Sequence, residues 1–274
     1  MEEQGARASD GGHLMPVLFV GHGSPMNAIE DNDFSRGWRE LGQVLPRPKA
    51  ILCVSAHWET KGTAVTAMVR PRTIHDFGGF PSALYEAEYP APGSPPLAGE
   101  IQKLVRKARV SPNLEWGLDH GCWSVLSRVF PGADIPVVQL SLDYTRPGEE
   151  HYALAKELAP LRRQGVLVVG SGNMVHNLRR AAWPEDGADM NASFAFDWAL
   201  EASELFKKLI DERRHAELGN YRSLGPAAQM AIPTAEHYLP LLYALALQEE
   251  EEALAYFNDR PVMGSLTMTS LVIG

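Results

Sequence analysis

Cysteine is scarce: Cys53 and Cys122 are the only two in 274 residues. That is too few to staple a secreted scaffold. Each is read as a small buried hydrophobe, and a reducing cytoplasm is the expected compartment. No uninterrupted apolar run approaches the roughly 18 residues of a membrane-spanning helix. The opening Met1-Glu2-Glu3-Gln4 has neither the basic nor the apolar region of a signal peptide, so no membrane partner is expected. Positive charge is in deficit, with 25 Lys and Arg against 34 Asp and Glu and a net charge of −9. A nucleic acid or an anionic membrane would want a basic patch instead. Several catalytic signatures are absent too. There is no GxxxxGK[ST] phosphate loop, no GxSxG nucleophile elbow and no HExxH zinc helix. Repeats and low-complexity segments are also missing, and the acidic run 249–252 reads as a solvated helix end or loop.

What is present is an ordinary apolar content, 45%, in a chain long enough for one large α/β domain. No domain boundary is visible. Residues 15–274 are read as one domain behind a disordered tail, 1–14, rich in Gly, Ala, Ser and Asp. Short β-branched runs bounded by Gly, Pro or Ser occur at 17–20, 50–55, 64–69, 136–142 and 165–169, and predict buried strands. Residues 265–273 alternate and read as a last strand. Helical patterns fall at 34–44, 97–108, 147–163 and 192–214. A final helix is expected from near Thr234, with Tyr238, Leu241, Leu242 and Leu245 on one face. This interleaving predicts an α/β fold with a central, mostly parallel or mixed sheet flanked by helices. Residues 183–189 read as a surface loop. The stretch 73–95 is long, aromatic and rich in Gly and Pro, which marks a functional loop or lid over the cleft.

Ligands in such sheets bind beyond the carboxyl ends of the strands, and histidines gather there. His22 follows the first strand after one Gly, His57 follows the second after one Ala, and His176 follows a later one through a Gly-Ser-Gly-Asn turn. His237 is expected in the first turn of the last helix, where Thr234 would be the N-cap and the dipole would keep the imidazole neutral. His120 is flanked by small residues, and His75 sits beside Asp76 in the long loop, a spacing unlike the H-x-D of facial triads. One strand-end histidine is more often a satisfied polar residue than a ligand; several at one edge point to a metal, with zinc and iron both open. Phe77, Phe80, Trp58 and Trp123 can wall an aromatic substrate or simply pack the core. His13, His151 and His215 read as surface residues. A zinc hydrolase and a non-enzymatic metal-binding module are the rival readings.

The segments GHGSPM (21–26), SAHWET (55–60), TIHDFGGFP (73–81), YPAPGSP (89–95), GLDHGCW (117–123), VVQLSLD (137–143), GSGNMVHN (170–177) and PTAEHYLPLLY (233–243) occur in this order. Together they resemble the DOPA-dioxygenase branch of the class III extradiol ring-cleavage dioxygenases, the LigB-like superfamily, from about residue 15 to 274. The resemblance implies one α/β domain and one ion per chain, Fe(II) or Zn(II). The substrates it implies are a small DOPA-like catechol and O₂. It also implies His22, His57 and His237 as metal ligands, His176 as acid/base and candidate additional ligand, and His120 as a histidine near the substrate. His75, Phe77, Trp58 and Trp123 are the expected substrate contacts. Relatives that cleave protocatechuate use a Glu as third ligand; the sequence here reads Ala235-Glu236-His237, so Glu236 is the alternative to His237.

Overall fold

The computed structural model describes residues 14–183 and 189–274. The apolar runs become strands: β1 Val17–Gly21, β2 Ala50–Thr60, β3 Thr63–Thr66, β4 Val110–Asn113, β5 Val137–Asp143, β6 Val166–Gly172, β7 Leu254–Phe257, β8 Pro261–Val262, β9 Leu266–Thr267 and β10 Ser270–Ile273. Eight of them form one sheet in the order β4-β3-β5-β2-β6-β1-β10-β7, and β8 pairs with β9 apart from it. The centre, β5-β2-β6-β1, is parallel. Antiparallel partners join outside it: β10 on β1, β7 on β10, and β3 on β5. The sheet is therefore mixed around a parallel core.

The helices are α1 Asp33–Val44, α2 Ser82–Tyr85, α3 Pro95–Leu104, α4 His120–Val129, α5 Gly148–Ala155, α6 Pro160–Arg163, α7 Asp197–Asp211, α8 His215–Gly219, α9 Pro226–Ala231 and α10 Leu239–Leu245. They cover both faces of the sheet. On β1 and β2, Val17, Phe19, Leu52 and Val54 join a core with Leu154, Phe206, Leu241 and Tyr243. The intervening Leu18, Val20, Ile51 and Cys53 join the opposite core, with Phe34, Trp38, Trp123 and Leu126. Strand side chains alternate between faces, so strands buried on both read as unbroken apolar runs. Each such Leu or Val contributes about 1.5–3 kcal/mol of burial.

Several expectations need correction. Residues 265–273 are not one strand. The Ser270 hydroxyl takes the Gly21 N–H and donates to the Met268 carbonyl, replacing ladder bonds at a bend. The helical pattern 147–163 breaks before Pro160, which has no N–H to donate. The pattern at 192–214 shrinks to Asp197–Asp211. The last helix begins at Leu239, not near Thr234, and the Thr234 hydroxyl bonds Glu236 rather than capping it. His151 and His215 are not surface residues: they are 1% and 7% exposed. The His151 ring lies between the Tyr243 hydroxyl (3.0 Å) and the Asp143 carbonyl (3.1 Å), and His215 meets the Tyr152 hydroxyl at 3.3 Å. His13, most of the 1–14 tail and residues 184–188 of the 183–189 loop lie outside the described residues.

Because the central strands are parallel, the carboxyl ends of β1, β2, β5 and β6 share one edge. Gly172 allows the chain entering α10 to lie against that edge. A Cβ on Gly172 would stand 2.1 Å from the His237 carbonyl oxygen, so a larger residue there would push His237 away.

Candidate metal centre and catalytic cleft

His22 stands directly after β1 and is 1% exposed. Its N–H donates to the Gly172 carbonyl, extending the β1–β6 ladder by one step. Its Nδ1 is 3.0 Å from the Ser171 hydroxyl, which donates its own proton to the Gly121 carbonyl. Ser171 therefore accepts from Nδ1–H, and the lone pair of His22 is left on Nε2. His57 lies inside β2 rather than beyond it, because the strand runs on to Thr60. The pairing of β2 with β5 shifts register between Val54 and Glu59, a bulge that re-aims the His57 ring. The Ser55 hydroxyl steadies the bulge, accepting the His57 N–H and donating to buried Asp119 at 2.6 Å. Nε2 of His57 and Nε2 of His22 end 3.1 Å apart.

His237 arrives from the chain before α10, fixed by an N–H···O bond of 2.8 Å from Asn173 to its carbonyl. Its ring centroid is 5.3 Å from His22 and 5.1 Å from His57. Its Nδ1 lies 3.2 Å from Glu236 Oε1. His176 is not on a flexible turn: Gly170–Gly172 belong to β6, and the His176 N–H is held by the Ala231 carbonyl. Its ring stacks on His237 at 3.5 Å with planes 7° apart. His120 opens α4, whose N-cap is Asp119, and its ring is 3.8 Å from that of His57.

These rings line a cavity of about 230 Å³ with Phe77, Phe80, Leu178, Met263 and Leu266 on its apolar side. The long loop thus supplies two aromatic walls. Three of the expected substrate contacts sit behind the cavity instead of lining it. His75 bonds the Ala87 carbonyl at 2.9 Å. Trp123 donates to the Ile74 carbonyl from the core. Trp58 is buried and stacks on Trp116 at 5.6 Å.

Sequence reasoning missed Asp76. Its carboxylate reaches both His57 Nδ1 (3.4 Å) and His120 Nδ1 (3.1 Å). It also missed the network in which Gln139 and Ser55 hold Asp119. The available signal was compositional: a lone carboxylate inside Phe- and Gly-rich 75–80, a Ser closing the apolar run 50–55 and a Gln inside the apolar run 136–142.

Burial governs the electrostatics. Desolvation first, and then repulsion from neighbouring imidazoles, pushes His22 and His237 well below their ordinary pKa. The same causes take His57 down to about 3, and burial takes His176 to about 4 against the opposing pull of Glu236. For Asp76, burial raises the carboxyl, but hydrogen bonds and charge from His120 outweigh it and hold the group below its usual range. Asp119 is raised by burial and by Asp76. His22, His57, His176 and His237 are thus neutral near pH 7 and carry lone pairs. Donor atoms of His22, His57 and His237 fall within 4.8 Å of one another, as do those of His176, Glu236 and His237 and those of His57, Asp76 and His120. Two donors about 2.1 Å from one ion stand about 3.0–3.4 Å apart at right or tetrahedral angles. The 3.1 Å between the Nε2 atoms fits that span. The residues therefore fit a metal ion, and at pH 7 a proton competes little for them.

Residues 13–265 match the family described as the catalytic LigB subunit of aromatic ring-opening dioxygenase. The chain is 48% identical over 264 residues to 4,5-DOPA dioxygenase extradiol of Escherichia coli K12, covering 95% of each. It is 37% identical to the protein of the same name from Beta vulgaris, covering 94% of this chain and 98% of that one. The crystal structure of an uncharacterized protein from Escherichia coli K12 superposes with a TM-score of 0.79 at 42% identity, covering 95% of this chain and all of that one. The family match spans all five clustered histidines, and the chain belongs to the LigB family of aromatic ring-opening dioxygenases.

Proposed function

We propose that this enzyme opens a catechol ring next to its diol with O₂, and that it does so with one ion per chain held by His22, His57 and His237. The observation that carries the reading is the 3.1 Å approach of two imidazole Nε2 atoms, with the third ring closing on both. Facing lone pairs repel unless a cation or proton lies between them. His237 is favoured over Glu236 as third ligand because Glu236 groups with His176 and His237 and not with His22 and His57. Fe(II) is the proposed ion; bound there, it supplies the electron transfer and the contact between catechol and O₂.

The chain's own residues do the rest. Phe77, Phe80, Leu178 and Met263 hold the ring and exclude water from the cleft. His176 is held neutral by burial, so it can take the proton of a catechol hydroxyl and return it as the ring opens. His120, on the same cavity, hydrogen-bonds a substrate oxygen. A DOPA-like catechol is the proposed substrate, on the strength of the relatives' names. A reducing cytoplasm is inferred from the two unpaired thiols. Among the described residues no helix is long and apolar enough to cross a membrane.

Zinc is the second reading of the ion, favoured by a ligand set without a carboxylate. One experiment separates the two. The ion-free protein is reconstituted anaerobically with Fe(II) or Zn(II) and mixed with catechols and air. O₂ uptake and the absorbance of ring-opened product are then followed. Uptake with Fe(II) alone is expected. No uptake with either ion, alongside zinc-dependent ester or amide hydrolysis, would overturn the dioxygenase reading in favour of a zinc hydrolase.

A further inference from the structure

Asp76 sits between two imidazoles that the proposed reaction uses differently. Its Oδ2 is 3.4 Å from Nδ1 of His57, the proposed ligand, and its Oδ1 is 3.1 Å from Nδ1 of His120, the proposed substrate contact. Oδ1 also accepts the backbone N–H of His120 at 2.9 Å, which pins the carboxylate at the first turn of α4. His120 Nδ1 is buried, Oδ1 approaches it without the alignment of a full hydrogen bond, and among the described residues no other acceptor serves it. Phe77, one residue on, packs 5.7 Å from the His120 ring, so the loop is held at this point from two sides.

An ionised carboxylate only accepts hydrogen bonds. A ring nitrogen facing it is best served by carrying the proton, and a neutral imidazole has only one. Nδ1–H on both rings therefore leaves both lone pairs on Nε2. For His57 that atom is the one facing His22 at 3.1 Å. For His120 it is the remaining ring nitrogen of a residue that lines the cavity.

We propose that Asp76 is a positioning residue that fixes His57 and His120 in the same Nδ1–H tautomer, one ring for the ion and the other for the substrate hydroxyl. The part concerning His57 rests on its reading as a ligand; the part concerning His120 does not. The hydrogen bond at one ring nitrogen decides the state of the other, and partners of this kind commonly set metal affinity. Without Asp76, both rings are free to take the Nε2–H form that an unconstrained imidazole prefers. That form has no lone pair where the ion or the hydroxyl would meet it.

The test combines ring ¹⁵N NMR of the ion-free protein with zinc titration. In the wild type, His120 is expected as the Nδ1–H tautomer. In Asp76→Ala it should move towards Nε2–H, and zinc affinity should fall about 10–100-fold. In the iron-loaded enzyme kcat should fall by more than KM rises, and Asp76→Glu should recover part of each loss. His22, held by Ser171, is the internal control and should keep its Nδ1–H tautomer. If the Ala variant does not fold, Asp76→Asn is read at the ion instead: it keeps the Oδ1 acceptor that faces His120 and turns an NH₂ donor on His57 Nδ1, so zinc affinity should fall while His120 keeps its tautomer. An unchanged His120 tautomer in folded Asp76→Ala, or unchanged zinc affinity in either variant, overturns the proposal. If the wild type shows the tautomer and binds zinc but opens no catechol, the dioxygenase reading falls and the Asp76 assignment stands.

Discussion

Two groups of buried and half-buried histidines can be compared within this one chain. The cleft group, His22, His57, His120, His176 and His237, lies at the carboxyl edge of the sheet. The other pair, His151 and His215, lies among the helices on one face. His22, His57, His176 and His237 of the cleft share with both helical histidines a pKa lowered chiefly by burial. What differs is where the nitrogens point. In His151 both are served by the chain, Nδ1 by Tyr243 and Nε2 by Asp143. In the cleft, Nδ1 of His22, His57 and His237 faces Ser171, Asp76 and Glu236 in turn, and the remaining nitrogens turn towards one another. A depressed pKa therefore reports burial, while convergence of unserved lone pairs marks chemistry.

The sharpest way to break that contrast is to delete a cleft histidine. His22→Ala or His57→Ala should empty the site and abolish ring cleavage, a larger loss than the roughly 10–100-fold expected for an outer partner. Elemental analysis beside O₂ uptake reads both. His176→Ala is expected to keep most of its ion and lose about 10²–10⁴ in rate. Should it come out as metal-free as His57→Ala, His176 is a ligand and His120 becomes the candidate base.

On the helical side, His151→Phe should leave turnover unchanged and cost about 1–3 kcal/mol in urea unfolding, because the Asp143 carbonyl and the Tyr243 hydroxyl lose their partner. The smallest effect concerns pH. His215 is held neutral down to about 4 by burial and by the nearby Arg213 and Lys156 charges, whereas an unfolded His takes a proton near 6.5. Between those values the unfolded state binds more protons, so stability falls as pH drops from about 6.5 towards 4. His215→Gln should flatten that slope by no more than one proton's share, measured by chemical unfolding at a series of pH values.

Much of the frame was legible. The runs at 17–20, 50–55, 136–142 and 165–169 are β1, β2, β5 and β6, with ends displaced by a few residues. The apolar face of Leu241, Leu242 and Leu245 is buried as expected, though its helix starts later. His151 and His215 were misread because their burial depends on Tyr243 and Tyr152, far away in the chain. Trp58 and Trp123 were assigned to the substrate because an aromatic residue near a candidate ligand looks the same whether it packs the core or walls a cavity.

Periodicity and strand-end punctuation were enough by themselves to determine the α/β class, and with it the edge of the sheet where His22 and His176 must emerge. They can do so because side-chain alternation and the direction of a strand are local properties of the backbone. The bulge that turns His57 inward, the Gly172 contact that seats His237 and the bridge from Asp76 to His57 and His120 were decided only in three dimensions. Each joins groups 19 or more residues apart. Their positions depend on register and close packing between elements, which no local pattern encodes.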